Sequence, residues 1–242
     1  MQLVAYGAQD IYLTGNPQIT FFKVVYRRHT NFSMEAIEQT LNGTVQLGSS
    51  CTATISRNGD LVHRMYLEFN PATAGGETIE NDGCSNFGSA LISEVEVEIG
   101  GQRIDKHYGH WMETWAELTE PNTSGSVSTQ AASLVLGTLF QNMSGMGGVF
   151  GADTAVTDSF WVPLQFWFCR NPGLALPLIA LQYHEVKVKI TLETAGNMTM
   201  TAGTSPGEMK LWADYIYLDT DERRRFAQVS HEYLIEQVQF ES

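Results

Sequence analysis

The stretch NPQITFFKVVYRRHTNFS, residues 16–33, is the part of the chain that decides the fold. It follows a turn signal, Gly15-Asn16-Pro17, and continues into β-branched and aromatic residues at 19–26, which are typical of a β-strand. The basic cluster Arg27-Arg28-His29 comes next. Since no catalytic or ligand-binding motif lies within the stretch, it indicates a structural element rather than a reaction centre.

Outward from this stretch, several segments have the pattern of strands. Alternating apolar and polar residues, the signature of a strand with one buried face, occur in Leu61–Phe69, Leu91–Ile99 and Glu185–Leu192. Bulky or β-branched composition predicts further strands at Thr44–Ser56, Phe160–Cys169 and Met209–Leu218. Between Thr44–Ser56 and Leu61–Phe69, the turn Arg57-Asn58-Gly59-Asp60 contains the Asn-Gly pair that favours a tight hairpin.

Helical patterns are few and short. Trp111, Trp115 and Leu118 recur at the spacing of one helical face, which predicts an amphipathic helix near 109–118. Residues 120–158 are rich in Gly, Ser, Thr and Asn and are interpreted as a long excursion at one end of the sheet, with one helical piece around 130–141. Many short strands, turn signals and long loops together predict an all-β protein: an antiparallel eight-stranded jelly-roll sandwich with short helices in its loops.

Composition excludes several classes of protein. The net charge of −13 argues against a general nucleic-acid coat, because phosphate binding requires positive charge. Three widely separated cysteines without a CxxC pair argue against a disulfide framework and a zinc ribbon. The N-terminus does not resemble a signal peptide, and the longest apolar run, Leu174–Leu181, is shorter than the roughly 20 residues that span a bilayer. Synthesis in the cytoplasm without a cofactor is the expectation.

Three glutamates on one strand are the strongest candidates for enzymatic chemistry. Glu94, Glu96 and Glu98 alternate along the predicted strand, and glycosidases use paired carboxylates about 5–9 Å apart. A carbohydrate-hydrolysing or carbohydrate-binding sandwich is therefore the alternative function. We favour the simpler interpretation, in which the glutamates form the solvent-facing side of a strand whose apolar side, Val95 and Val97, lies in the core.

A second set of polar residues surrounds the predicted helix. His107, His110, Glu113 and Glu117 recur at three- and four-residue spacing and could ligate a metal if the helix began early. A polar helix surface explains them equally well, and we expect no metal.

Arginines are few, so their clustering carries information. Arg27, Arg28, Arg223, Arg224 and Arg225 account for five of the 14 basic residues. Against an acidic background they are candidates for contacts with a neighbouring subunit, where a bidentate guanidinium can fix the register of two chains. Pairing within the chain, for instance with Asp219, Asp221 or Glu222, is the alternative, and the sequence leaves both open.

Five blocks of sequence resemble, in order, the major capsid protein of the nucleocytoplasmic large DNA viruses. Because each block is long, chance agreement is negligible. The blocks are LVAYGAQDIYLTGNPQITFFKVVYRRHTNFS at 3–33, ISRNGDL at 55–61, EVEIGGQRIDKHY at 96–108, NPGLALPLIALQYHEVK at 171–187 and DYIYLDTDERRRFAQVSHEYLIEQVQF at 214–240.

The resemblance implies a division of the chain and a role. Members of this family have two jelly rolls per subunit, and the chain is similar to the N-terminal half. It implies an N-terminal arm at 1–18, a first jelly roll at 19–219, and a linker with the first strand of a second jelly roll at 220–242. The implied role is a structural one: homotrimeric, pseudo-hexagonal capsomers that build an icosahedral shell in the host cytoplasm. Neighbouring capsomers, minor capsid proteins and a nearby inner viral membrane are the implied partners, without direct contact with nucleic acid.

Overall fold

The computed structural model describes residues 30–70, 79–81, 86–123, 138–148, 154–156, 159–198, 206–229 and 231–241. The predicted arm at 1–18 and the predicted strand at 19–26 lie outside these residues. Twelve strands and five α-helices fall within the described ranges. In chain order they are β1 (Phe32–Gln39), β2 (Leu41–Asn42), β3 (Ser50–Thr54), β4 (Leu61–Asn70), β5 (Ile79–Asn81), α1 (Phe87–Ala90), β6 (Ile92–Ile99), β7 (Gln102–Tyr108), α2 (Gly109–Thr119), α3 (Leu139–Ser144), β8 (Thr154–Val156), β9 (Phe160–Pro163), α4 (Trp167–Arg170), β10 (Leu176–Pro177), β11 (Val186–Leu192), β12 (Glu208–Leu218) and α5 (Thr220–Gln228).

Two antiparallel sheets form a sandwich. The first has the order β1-β12-β4, and the far edge of β4 pairs with β9 along one half and with β10 along the other. The second has the order β2-β3-β11-β6-β7, and β5 and β8 form a separate two-stranded ribbon. After β1, the chain passes back and forth between the two sheets, which is jelly-roll connectivity. The predicted fold class is confirmed, but the count of eight strands is not reproduced as such.

The core lies between the two sheets and follows the alternation of the strands. β11 presents Val186, Val188, Ile190 and Leu192 inward, all nearly inaccessible to solvent, while the intervening lysines and Thr191 remain half-exposed. From the first sheet, β4 and β12 contribute buried residues of the same kind. The alternation that predicted these strands therefore also fixes their register, because a slip by one residue would place the apolar set in solvent.

The hairpin expected at Arg57-Asn58-Gly59-Asp60 is wrong. β3 pairs with β2 and β11 in the second sheet, whereas β4 pairs with β12, β9 and β10 in the first. The Asn-Gly pair therefore lies in a corner that passes from one sheet to the other. The tight hairpin is instead the one between β6 and β7, where Gly100 and Gly101 have φ of 61° and 82°, a conformation that glycine adopts without strain.

The amphipathic helix is confirmed as α2, but its buried face was predicted wrongly. Met112 and Ala116 face the core, Leu118 is 74% exposed, and Trp111 and Trp115 are half-buried. Gly109 explains the orientation, because a Cβ there would come within 2.0 Å of the Ser89 carbonyl oxygen. Close backbone contact at the start of the helix thus turns the smaller side chains, rather than the tryptophans, toward the core.

Three further segments differ from the prediction. Only the first four residues of Phe160–Cys169 form a strand, and the chain then turns into α4, whose aromatic residues are buried without pairing in a sheet. The charged run predicted as a linker forms α5, which begins after Asp219; the Asp219 carboxylate accepts a hydrogen bond from the Thr220 amide. The strand predicted at 233–240 is not assigned: residues 231–241 have no regular secondary structure.

Candidate assembly surfaces

The glutamates of β6 are held in a cross-strand network of ion pairs. Glu96 Oε1 lies 3.2 Å from Arg103 Nη1 and 3.7 Å from Lys106 Nζ, and its Oε2 lies 4.0 Å from Lys189 Nζ. Lys106 also pairs with Glu94. Since β7 and β11 flank β6 on either side, the cations come from both neighbours. Two of the three carboxylates, those of Glu94 and Glu96, are therefore paired with cations of the neighbouring strands.

The set of possible metal ligands near α2 is divided by the fold. His107 belongs to β7 and is fully buried, while Glu113 lies within α2. The Glu113 carboxylate accepts hydrogen bonds of 2.9 Å from the Ser89 hydroxyl and from the Gly147 amide. It therefore connects α1 and the turn after α3 to α2. Across the described ranges, no group of three His, Cys, Asp or Glu side chains could hold a metal ion.

The arginines of α5 make contacts within the chain. Arg223 Nη2 lies 2.9 Å from Asp60 Oδ2, and the same carboxylate accepts a hydrogen bond from the Leu218 amide. Arg225 Nη1 lies 3.5 Å from Glu222 Oε1, and the Arg225 side chain is 70% exposed. Asp60 was not foreseen as a partner, because it lies in the corner far away along the chain. Arg27 and Arg28 lie outside the described residues.

The structure divides the aromatic residues of α2 and of the segment around α4 between surface and core. Phe166, Trp167 and Phe168 are at most 2% exposed and belong to the core. Trp111 and Trp115 lie on the outer side of α2, with ring centroids 5.7 Å apart. The guanidinium of Arg170, at the end of α4, lies 4.8 Å from the centroid of the Trp115 ring, a cation–π contact.

A groove of about 860 Å³ opens beside these residues. Residues of α2, α3, β4, β9 and α4 line it. Trp161 and Met143 line the groove and are 37% and 48% exposed. Apolar side chains that line a groove and remain accessible are typical of a surface that contacts another protein.

The C-terminal strap, defined here as residues 231–241, lies across the outer edge of the second sheet. The Val238 amide donates a hydrogen bond of 3.0 Å to Asp105 Oδ1, and the Gln237 side-chain amide donates one of 2.5 Å to the Ile104 carbonyl oxygen. Glu236 Oε2 lies 3.1 Å from Arg170 Nη2. Farther along, the Phe240 ring packs on Tyr108, with ring centroids 4.9 Å apart. The strap thus contacts β7 and α4 at four points.

Polar groups are buried beneath the strap. Burial raises the pKa of Asp105, although hydrogen bonds from the Val238 and Lys106 amides and the charge of Arg170 act in the opposite direction. Burial, assisted by the positive charge of Arg170, lowers the pKa of His107 from 6.5 to about 3. His107 is therefore neutral at physiological pH and packs against Phe166, with ring centroids 4.4 Å apart.

Several of these buried atoms lack hydrogen-bond partners among the described residues. They are Asp105 Oδ2, both ring nitrogens of His107, Trp111 Nε1 and Arg170 Nε. Buried polar atoms are paired in the great majority of native structures, so these five atoms are exceptions among the described residues.

Comparison with known proteins decides the family. A sequence model described as "Major capsid protein N-terminus" matches residues 20–219. The chain belongs to this capsid protein family. It is 58% identical over 241 residues to the major capsid protein of Pyramimonas orientalis virus, covering 99% of the chain and 58% of the relative. It is 48% identical to the major capsid protein of Paramecium bursaria Chlorella virus 1, covering 99% of the chain and 52% of the relative.

A solved structure agrees with this membership. The crystal structure of PBCV-1 VP54, fitted into a cryo-EM reconstruction of the virophage Sputnik, superposes with a TM-score of 0.68 at 41% identity. The match covers 91% of this chain and 50% of that one. The chain spans about half the length of the capsid relatives it matches. The carbohydrate-hydrolysing or carbohydrate-binding alternative has no support among these relatives.

Sequence reasoning missed the residues that hold the strap. Asp105 and Arg170 were not singled out, although Asp105 occupies a position in β7 that alternation assigns to the buried face. An aspartate on the apolar side of a strand is the signal that could have identified it, because buried carboxylates require specific partners. Arg170, at the end of an aromatic segment, could not have been placed without the fold.

Proposed function

We propose that this chain is the N-terminal sandwich of a structural capsid subunit that assembles with further copies into a virion shell. The observation that carries the proposal is the similarity of nearly the whole chain to curated major capsid proteins. The ion-paired glutamates of β6 and the absence of a metal-ligand group among the described residues are compatible with a structural role.

Assembly of such subunits depends on the burial of surface between copies. Stable assemblies of this kind often bury more than about 2,000 Å² per interface. Exposed apolar residues beside the groove, among them Trp161, Met143 and Leu139, are candidates for this burial. Arg27, Arg28, Arg223, Arg224 and Arg225 are candidates for polar contacts between subunits or along the linker. The described contacts of Arg223 and Arg225 leave part of each guanidinium accessible, so pairing within the chain does not prevent such a role.

The further partners follow from the family. We propose a homotrimeric capsomer with pseudo-hexagonal outline, neighbouring capsomers around it, and minor capsid proteins on its inner side. The arm at 1–18 would reach toward that side, close to an inner viral membrane, and assembly would take place in the host cytoplasm. No described helix is long and apolar enough to cross a bilayer. The net charge of −13 disfavours direct packaging contacts with nucleic acid.

The oligomeric state of a full-length protein carrying this half tests the proposal. Size-exclusion chromatography with light scattering should give the mass of three subunits, and negative-stain electron microscopy should show particles of hexagonal outline. A full-length protein that stays monomeric at high concentration would contradict the proposed function. A double substitution of Arg224 and Arg225 by Glu should weaken the trimer if these arginines bridge subunits. The double substitution of Lys187 and Lys189 by Glu, on the second sheet, changes the net charge by the same amount and is the control.

A further inference from the structure

The corner between β3 and β4 contains the pair Asn58-Gly59 and has no regular secondary structure. The Asn58 side chain is exposed, and its amide donates a solvent-accessible hydrogen bond of 3.0 Å to the Ser56 hydroxyl oxygen. The Gly59 amide has no backbone hydrogen-bond acceptor among the described residues. An asparagine side chain and the amide that follows it are therefore both held only loosely at this corner.

Tyr215 explains why position 59 is a glycine. A Cβ at Gly59 would lie 2.9 Å from Tyr215 Cβ and 3.0 Å from Tyr215 Cδ1, closer than side chains tolerate. Tyr215 is fully buried and its hydroxyl donates a hydrogen bond to the Ser56 carbonyl oxygen, so its ring has no room to move aside. The glycine is thus required by the packing of the corner against β12.

A glycine that follows an asparagine makes the asparagine side chain chemically labile. The backbone nitrogen of the glycine attacks the side-chain carbon Cγ, and the missing Cβ leaves this approach unhindered. The new N–Cγ bond closes a five-membered succinimide as the Cγ–Nδ2 bond breaks, and the departing nitrogen takes the proton of the attacking amide and leaves as ammonia. Water then opens the ring at either carbonyl and gives aspartate or isoaspartate. The sum consumes one water, releases one ammonia and involves no oxidation or reduction.

The sequence contains a second Asn-Gly pair, Asn42-Gly43, which the fold holds differently. Asn42 belongs to β2 and lies opposite Thr52 of β3. Closure of the succinimide requires the backbone between the two residues to rotate out of the extended conformation, which would break this pairing. A Cβ at Gly43 would lie 3.1 Å from the Ser50 carbonyl oxygen, so β3 also packs closely against the glycine. The paired strand should therefore suppress at Asn42 the reaction that the irregular corner permits at Asn58.

We propose that Asn58 is a site of spontaneous modification, at which deamidation through Gly59 converts the asparagine into aspartate or isoaspartate as the protein ages. The fold creates the site, because the packing of Tyr215 requires the glycine and the corner exposes the asparagine. The inference goes beyond the proposed function and does not depend on it, since the reaction needs only this chain and water.

The products alter the junction between the two sheets. Isoaspartate adds one methylene group to the main chain directly before Gly59, which has no free space beside Tyr215. Both products also place a new negative charge two residues from Asp60, whose carboxylate lies 2.9 Å from Arg223 Nη2. We expect the modified corner to be less stable than the original one, and isoaspartate to have the larger effect because only it changes the length of the backbone.

Peptide mapping of the aged chain tests the site. The folded 242-residue chain is kept in mildly alkaline buffer, which promotes ring closure, and its peptides are analysed by mass spectrometry over several weeks. Asn58 should deamidate several-fold faster than Asn42, and protein isoaspartyl methyltransferase should label the peptide that contains residue 58. In urea, where both pairs lose their surroundings, the two rates should become nearly equal. A rate at Asn58 equal to or below that at Asn42 in the folded chain would overturn the proposal.

A blocked variant connects the modification with the stability of the corner. Asn58→Gln keeps an exposed amide but closes a ring only with difficulty, because that ring would have six members. The freshly prepared variant and wild type should melt at the same temperature, and after ageing only the wild type should melt at a lower one. Asn58→Asp adds the charge without the methylene group and should melt between the fresh and the aged wild type. If aged Asn58→Gln loses as much stability as the aged wild type, the loss arises elsewhere and the effect assigned to the corner is wrong.

Discussion

The hydroxyl of Tyr215 donates a hydrogen bond of 2.5 Å to the backbone carbonyl oxygen of Ser56. Tyr215 belongs to β12 of the first sheet and is fully buried, while Ser56 follows β3 of the second sheet. The Ser56 amide and hydroxyl each donate a hydrogen bond of 2.9 Å to Gln39 Oε1, at the end of β1. One tyrosine of β12 thus joins the two layers of the sandwich at the point where β1 and β3 end.

Tyr215→Phe should destabilise the fold, because it removes the hydroxyl that donates a hydrogen bond to the Ser56 carbonyl oxygen. The free energy of unfolding should fall by about 1–3 kcal/mol, the range for an unsatisfied buried polar group. Urea denaturation followed by tryptophan fluorescence measures the change. Tyr217→Phe is the matched control, since the Tyr217 hydroxyl donates a solvent-exposed hydrogen bond of 3.3 Å to the Glu35 carboxylate; it should match the wild type. Equal effects of the two substitutions would contradict the assignment.

Gly109→Ala should be strongly destabilising. The added Cβ would lie 2.0 Å from the Ser89 carbonyl oxygen and 2.4 Å from that of Ile92, and backbone atoms cannot move aside as a side chain can. A loss above about 3 kcal/mol, or failure to fold, is expected from overpacking at such a site. Gly196→Ala, where a Cβ meets nothing within 4 Å, should be neutral or slightly stabilising. Thermal unfolding by circular dichroism compares the two; a mild effect at Gly109 would show that α2 can shift.

His107→Phe should alter how stability depends on pH. The pKa of His107 falls from 6.5 in the unfolded chain to about 3 in the folded one, through burial and the charge of Arg170. As pH falls through this window the unfolded state takes up a proton first, so the wild type loses stability that the phenylalanine variant retains. As the pH is lowered from about 7 to about 4, the unfolding free energy of the variant should rise relative to that of the wild type by about 3 kcal/mol.

Protonation of Asp105 should change the stability in the direction opposite to that of His107, so it provides a check on the sign of the pH dependence. Its pKa is raised by burial, so the folded state binds a proton more readily than the unfolded one, and acid stabilises the fold between 3.8 and the raised value. Asp105→Asn should remove this contribution while Val238 keeps its acceptor. His110→Phe, at an exposed position of α2, is the matched control for His107 and should keep the wild-type profile. Parallel profiles for His107→Phe and the wild type would contradict the assignment.

Cys51 and Cys169 should resist alkylation in the native state. Burial raises the pKa of both thiols, that of Cys169 to about 12, and the thiolate is the reactive form. Iodoacetamide at about pH 8 should leave both residues unmodified in the folded chain and modify them once urea is added, as peptide mass mapping will show. Rapid modification of Cys169 in the native chain would indicate that α4 opens readily.

How much of the fold followed from sequence depended on the type of pattern. Strands with strict alternation, such as β4 and β11, were predicted almost to the residue, because a half-buried strand imposes the pattern directly. The Asn-Gly corner at 58–59 was misread, since local turn chemistry does not say whether the next strand pairs with the previous one or crosses to the other sheet.

The orientation of α2 and the residues that the strap contacts could not be predicted from the sequence. The Trp111–Trp115 spacing describes a helical face, but the close approach of Gly109 to α1 decides which face is buried. In the same way, Val238, which donates to Asp105, and Asp60, which pairs with Arg223, lie more than a hundred residues from those partners along the chain. The periodicity of a sequence shows which residues share a face, and only the tertiary fold shows what that face packs against.

The pairing of β1 with β12 joins residues 32–39 to residues 211–218, nearly the two ends of the described sandwich. While the ribosome is still translating the intervening strands, the first sheet has no central strand and β1 has no neighbour. Such long-range closure makes folding slow and leaves strand edges open in the nascent chain. Until β12 has emerged from the exit tunnel, β1 and the facing edge of β4 have no partner, and open edges of this kind favour association between unfinished chains, so the last strand of the sandwich is the one that protects the nascent chain from its neighbours.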